Sequence, residues 1–538
     1  MGKKILFILL ALLFISWGNL YADQEPDTIE LLHDAFATGE SLEVGGEPIM
    51  ATGLLSLFYQ SRNFEPAWPD LSYAGRIIDL LGKSTEEGLF PLDYHFNALT
   101  AVYGKLQNGR GSSARSRAEL DVLLSDAILI YASHLVNGKI APSRFEKTWN
   151  YDSVQLLPED IVYALNKHVD NQTVDQALES LKPDLAVYDQ LKHGLSFFAD
   201  LAGRDLFKEI PTKEVLRIGS EGTNVRELRR QLMVLGLLED DAESFVFDEQ
   251  LEGAVKNFQK RFGLEVDGIA GKATLEELNV PFSYRADQIR INMDRIRWVV
   301  DDLTPNFLLV NIAGYKLWLS KNDTLVWSTD VMTGAIRSQT PLFKSEMTYL
   351  VFNPTWTVPR SIAKEMFHKF QSDPSYISRN NYRLIDRQGK EVDPHSLNWS
   401  SLNNRNFPYT LVQMPGKNNA LGRVKFMFPN KHAIYLHDTP QKHLFVKAQR
   451  AFSHGCIRVK DPLRLAELLL DDQDLWNRAA IDRVVGSKGL KNVKLKVPVE
   501  VLIMYWTVQP GSGGKLSFVQ DVYGRDLALI AALKKPLF

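Results

Sequence analysis

The chain has 538 residues, 45% of them hydrophobic and 24% charged, with a net charge of −3. That length exceeds what one hydrophobic core serves, so three or four domains are expected. No basic block stands out, which removes the electrostatic reason to expect nucleic acid as a partner.

The first residues, MGKKILFILLALLFISWGNLYADQ, place Lys3 and Lys4 before an apolar run from Ile5 to Gly18, with Ala22 ahead of a polar stretch. This is the layout of a secretory signal over residues 1–22, and the run is short beside the roughly 20 residues of a spanning helix. Leu20 stands where a small residue is usual before cleavage, so an uncleaved anchor is the alternative reading, and the only route to a membrane. No cysteine lies nearby, which excludes a lipoprotein, and no later segment is apolar enough to cross a bilayer. The exported chain then carries one cysteine, Cys456, and can form no internal disulfide. A lone thiol is either buried and inert or reactive, and its neighbours must decide which.

Residues 49–202 are patterned as helices. AGRIIDLLGKSTEEG (74–88) and RAELDVLLSDAILIYASHLVNGKI (117–140) repeat apolar residues at three and four positions. No cluster of catalytic residue types occurs there, so the segment is expected to be a scaffold. The texture changes over 213–280. Ser220–Gly222 form a turn before a helix with Val225, Leu228, Leu232 and Leu235 on one face. Phe247 and Asp248 precede a second helix carrying Leu251, Ala254, Val255 and Phe258. Gly263, Asp267, Gly268 and Gly271 mark turns before a short third helix at 274–278. This pattern resembles the small three-helix peptidoglycan-binding domain.

From residue 305 the chain becomes strand-like. NFLLVNIAGYKLWLS alternates around Gly314, and LVWSTDVMTG and MTYLVFNPTWTVP follow. SIAKEMFHKF has the spacing of a short helix. Residues from about 371 to 407 are polar and rich in Asn, Ser, Asp and Pro, and are expected to form an inserted lid. Strand signals return at TLVQMPG, GRVKFMF and AIYLH, and again in PVEVLIMYWTVQ and LSFVQDVYG, where a hairpin is expected through Pro510–Gly514.

The chemistry concentrates in AIYLHD, ending at His437 and Asp438, and FSHGCIRV (452–459). A free thiol has a pKa of about 8.5 and needs a base or a cation to act at neutral pH. His437 ends an apolar strand, and Cys456 follows with Ser453, His454, Gly455 and Arg458 around it. Gly455 permits close backbone approach, where N–H groups near Gly455 and Cys456 would hold an intermediate. A metal site of His437, His454 and Cys456 is the competing reading, but the spacing fits no common zinc pattern.

The string S-H-G-C-I-R with an upstream His resembles the signature of L,D-transpeptidases, whose catalytic domain is a cysteine-bearing β-sandwich. RSQTPLF (337–343), FNPTWTVP (352–359), the helical scaffold, the peptidoglycan-binding segment and the lid extend the resemblance to the large multidomain Gram-negative members. The implied fold is α+β and multidomain: a helical N-terminal scaffold (49–202), a three-helix peptidoglycan-binding domain (213–280), and a mostly-β catalytic domain (305–535) with an inserted lid. By this resemblance Cys456 is the nucleophile and His437 the general base. His454 shapes the cysteine loop, Arg458 steadies the loop or the substrate, and Ser453 and Gly455 support them. The Asp438 side chain receives no role; its backbone carbonyl is the group placed to orient an imidazole. Tyr435 and Trp356 are candidate groove residues, with plain core packing as the alternative for each, and His33, His193 and His443 are expected to be non-catalytic. The implied reaction is 3→3 cross-linking of peptidoglycan from tetrapeptide donors in the periplasm, with carbapenems acylating Cys456, and an L,D-carboxypeptidase or a related wall hydrolase as the alternative. No metal or organic cofactor is implied. The implied partners are stem peptides, glycan and other wall-synthesis proteins.

Overall fold

The computed structural model describes residues 26–37, 42–109, 113–151, 154–204, 208–239, 243–300, 303–471 and 473–538. The signal or anchor expected over residues 1–22 lies outside them. No helix among the described residues is long and apolar enough to cross a membrane.

The scaffold is helical, and its central element is α1 (Ala114–Asn137), capped by the Ser113 side chain accepting from Ser116 N. This helix buries residues on nearly every face, including Asp121 and Asp126. Buried carboxylates are costly unless hydrogen-bonded. Asp121 accepts from Tyr59 Oη, Ala67 N and Trp68 N at 2.7–3.0 Å. Asp126 accepts from Met50 N and Ala51 N and meets His95 Nε2 at 2.9 Å. Both acids therefore pin loops to the helix, a structural use consistent with a scaffold.

Three helices, Thr223–Val234, Glu249–Arg261 and Lys272–Leu278, form the small domain. Asp248 caps the second by accepting from Leu251 N at 2.8 Å. The Asp267–Gly268 turn is held by buried Gln259, whose Oε1 accepts from both amides. This domain is docked, not loosely tethered: Phe262 stacks on Phe518 at 5.2 Å, and Arg261 Nε donates to Leu516 O at 3.0 Å. The long helix α2 (Phe282–Arg297) lies against the scaffold helix Ala186–Ala202. Asp294 of α2 accepts from Lys139 N and Ile140 N, and Arg295 pairs with Asp526 at 2.8 Å. The C-terminal Phe538 stacks on His95 at 4.3 Å. Both ends of the described chain thus close on the same scaffold.

The β-rich region has these strands in order: β1 (Phe307–Asn311), β2 (Lys316–Lys321), β3 (Thr324–Gly334), β4 (Phe343–Phe352), β5 (Trp356–Thr357), β6 (Tyr382–Ile385), β7 (Glu391–Val392), β8 (Thr410–Gln413), β9 (Val424–Met427), β10 (Leu436–His437), β11 (Ala451–Ser453), β12 (Ile457–Val459), β13 (Lys491–Met504), β14 (Val508–Pro510) and β15 (Leu516–Phe518). The large sheet runs β11-β3-β12-β10-β9-β4-β13-β1-β2. Because β2 also pairs with β3, it closes on itself around one apolar core. The β14–β15 hairpin turns through Pro510–Gly514 as the sequence indicates.

The lid expected at about 371–407 sits inside a larger folded lobe. The lobe opens with β5 and helix α3 (Arg360–Ser372) and ends with β8, giving the sheet β5-β8-β6-β7. Val358, Phe367, Phe370, Ile377, Leu384, Trp399 and Leu411 form its own buried cluster. Scattered aromatics in a polar stretch concealed a small core, because their partners come from α3 and β8 on either side. TLVQMPG accordingly belongs to the lobe sheet and not to the large one.

Candidate active site

Strand pairing brings the candidate residues together. β10 runs parallel to β12 with Leu436 opposite Ile457 and His437 opposite Arg458, and Ile457 N donates to Tyr435 O at 3.1 Å. Alternation then sends Leu436 and Ile457 into the core and presents Tyr435, His437 and Arg458 on the opposite face. Lys425 of β9, opposite His437, joins them, its ammonium 5.6 Å from the Tyr435 ring. The Tyr435 and His437 rings lie 5.7 Å apart.

Cys456 is half-buried at the edge of this cluster. Its Sγ lies 3.7 Å from Ala433 O, a carbonyl aimed there by a residue with φ +53°. The Tyr435 side chain lies between the sulfur and Trp356, and its influence favours the charged form of the sulfur. Burial pushes the Cys456 thiol up, while the Tyr435 contacts and the charges of Arg458 and Lys425 work in the opposite direction. The resting sulfur is therefore a thiol at neutral pH, with the groups that favour a thiolate already in place. Burial also lowers Lys425 and Arg458 from their ordinary values, and both are attracted to a charged Cys456. The buried Arg458 Nε has no hydrogen-bond partner among the described residues, while its Nη1 donates to Gln441 Oε1 at 2.7 Å.

His437 is 4% exposed, and burial, with the charge of Arg458 next, pushes its pKa down to about 3. Its Nδ1 meets Asp438 O at 2.5 Å. A carbonyl only accepts, so Nδ1 carries the proton and Nε2 keeps its lone pair, which is the tautomer a base needs. The Asp438 side chain acts one step back. It pairs with Lys442 at 2.7 Å and accepts from Arg423 N at 2.9 Å. Burial opposes its charge, but Lys442 and the Arg423 amide hold the carboxyl below its ordinary value.

The loop around the sulfur is held by Ser453 and by two residues, Thr340 and Tyr523, that the sequence left without a role. Thr340, in the RSQTPLF string, donates to Gly455 O at 2.7 Å and accepts from Gly334 N at 2.9 Å. Tyr523 accepts from Thr340 N and donates to Gly334 O. Ser453 donates to Cys456 O and accepts from Gly455 N at 3.0 Å. This corrects one expectation: the Gly455 amide is occupied within the loop and does not face an intermediate. The neighbouring Cys456 amide donates to no acceptor among the described residues. Gly455 has φ +117°, and a Cβ there would sit 3.2 Å from Ile434 Cδ1. Gly455→Ala is expected to cost about 1–3 kcal/mol of strain and to lower turnover more than it lowers the unfolding midpoint, measured side by side by calorimetry and product analysis.

His454 departs from its expected place in the loop. It is partly exposed and its Nε2 meets Glu365 Oε2 of α3 at 3.1 Å, so it ties the cysteine loop to the lobe. Glu365, whose carboxyl the His454 contact holds below its ordinary value, carries no sequence signal because its partner is 89 residues away. With His454 turned to Glu365, it does not converge with His437. Among the described residues no group of three or more His, Cys, Asp or Glu is placed to hold a metal ion.

Residues 305–499 match the YkuD family, the L,D-transpeptidase catalytic domain. Those residues therefore form an L,D-transpeptidase catalytic domain. Residues 53–195 of the chain match a "Scaffold domain" and residues 221–278 a "Putative peptidoglycan binding domain". A Haemophilus influenzae protein named "Putative L,D-transpeptidase" is 27% identical over 523 residues, 94% of this chain and 85% of that protein. An 81-residue stretch, 13% of the chain, is 40% identical to a fifth of N-acetylmuramoyl-L-alanine amidase CwlM of Mycobacterium tuberculosis, 20% of its length. A solved L,D-transpeptidase from Stackebrandtia nassauensis is 14% identical, covers 55% of this chain and 97% of its own, and has a TM-score of 0.20, at which the likeness carries no argument.

Proposed function

We propose that this protein is an L,D-transpeptidase that forms 3→3 peptidoglycan cross-links through a thioester on Cys456, using tetrapeptide stems as donors outside the cytoplasm. What supports the reading is the pairing of β10 with β12, which sets His437, with Nε2 free of the proton, beside Arg458, while Cys456 directly precedes β12 and feels the charges of Arg458 and Lys425. In the proposed sequence, Sγ attacks the carbonyl of the donor's third residue while His437 Nε2 takes the thiol proton. The Cys456 amide and the nearby Arg458 charge stabilise the tetrahedral oxyanion. The C–N bond breaks, His437 returns the proton to the departing D-alanine amine, and the thioester remains. A side-chain amine of a second stem then attacks the thioester, with His437 accepting its proton and the thiol being restored. One amide is exchanged for another, so no energy-rich cofactor enters.

Glu365, through His454, ties the lobe to the cysteine loop, and Trp356 lies beside Tyr435. In this proposal the lobe closes over the donor and keeps water from the thioester. The docked three-helix domain holds the wall nearby, which raises the local concentration of stems without changing the chemistry. Residues 1–22 would direct export, and carbapenems would acylate Cys456.

Purified protein incubated with disaccharide-tetrapeptide is expected to yield a cross-linked dimer with release of D-alanine. Tripeptide alone would replace transfer by hydrolysis, and unchanged tetrapeptide would reject the function.

A further inference from the structure

The lobe between residues 356 and 413 carries eight Lys and Arg against five Asp and Glu. All five carboxylates are engaged. Glu365 meets His454, Asp373 pairs with Arg379, and Glu391 pairs with Arg383. Asp386 accepts from the amides of Gln388 and Lys390, and Asp393 from that of His395. Arg360, Lys364, Arg387 and Arg405 are exposed and have no carboxylate partner among the described residues. All four line one cavity of about 360 Å³ that contains no acidic residue. Its apolar side is Phe367, Phe407 and Tyr409, with Phe407 edge-on to the other two rings at 5.5 and 5.6 Å.

Four like charges gathered around one hollow repel one another, and the arrangement is relieved by an anion. The cavity is distinct from the reacting site. Thr357 lines it, whereas Trp356, Tyr435, His437, Cys456 and Arg458 do not. Guanidinium groups pair with carboxylates in a bidentate way, and an aromatic wall suits the apolar part of a peptide. The same chain carries a peptidoglycan-binding domain, and stem peptides present free carboxylates.

We propose that this cavity binds the carboxylates of a peptidoglycan stem peptide belonging to a strand other than the one at Cys456. The identity of the ligand rests on the proposed function; the anion-binding character rests on the four cations.

The full chain carrying Cys456→Ala, which cannot turn over, is titrated calorimetrically with free stem tetrapeptide and with the same peptide amidated at its carboxylates. A salt-sensitive binding step is expected, weakened at least about 10-fold by amidation and by Arg387→Ala/Arg405→Ala, and retained by Arg387→Lys/Arg405→Lys. Equal binding by the double Ala variant, or indifference to amidation, would overturn the proposal. So would binding of anionic phospholipid vesicles at these arginines that the tetrapeptide cannot displace. Turnover of disaccharide-tetrapeptide by the unsubstituted chain is followed in parallel. Loss of that reaction with cavity binding intact would reject the function of Cys456 alone.

Discussion

Cys456→Ala is expected to remove transfer and hydrolysis together, by at least about 10⁴-fold in turnover, because Cys456 is the chain's single thiol. The substitution leaves the surroundings nearly unchanged. Cys456 is half-buried, its sulfur makes a long contact to Ala433 O, and the loop is held by Thr340, Ser453 and Tyr523, which do not depend on the sulfur. Folding should therefore persist, with an unfolding midpoint close to that of the parent, and donor binding should be retained. Chromatography of the disaccharide-tetrapeptide reaction reads the loss directly. Intact-mass measurement with a carbapenem reads the same sulfur independently: one adduct on the parent and none on Cys456→Ala. Residual turnover within a factor of ten of the parent would transfer the chemistry to another group.

His437→Gln is expected to lower kcat by about 10²–10⁴-fold, the usual contribution of a positioned base, with a smaller effect on KM. The glutamine amide can still donate to Asp438 O but cannot take a proton. A second consequence follows from burial. His437 gains no second proton in the folded chain until the pH approaches about 3, whereas an unfolded histidine becomes charged near 6.5. Between those values the unfolded state binds the extra proton, so stability falls as the pH is lowered through that window and is undiminished above it. The slope for one such group is about 1.4 kcal/mol per pH unit. His134, buried and also held at about 3, contributes a second group of the same sign. Calorimetric unfolding midpoints between pH 7 and 4.5 should fall less steeply in His437→Gln than in the parent. An identical pH slope would place His437 in solvent. In the active chain, kcat/KM should show no acid limb at 6.5 owing to this histidine, since the free base is already neutral there.

Several features of the protein were written locally. Helical spacing marked the scaffold and the three small helices because amphipathic periodicity depends only on neighbours within two turns. The hairpin at 510–514 was marked by its turn residues, and Cys456 and His437 were singled out as candidates by the rarity of the thiol and the string around it. Asp438 was also legible in its limited role, since the carbonyl of the next residue reaches Nδ1 without help from elsewhere. Tertiary structure alone decided the rest. Glu365 and Thr340 act on the cysteine loop from 89 and 115 positions away, and Lys425 reaches the cluster only through the pairing of β9 with β10. The extent of the lobe, the occupation of the Gly455 amide, and the gathering of Arg360, Lys364, Arg387 and Arg405 are likewise products of packing. Period and composition report which face of an element avoids water. They carry no record of which distant element covers that face, and it is this covering that sets the burial and the charges around the sulfur.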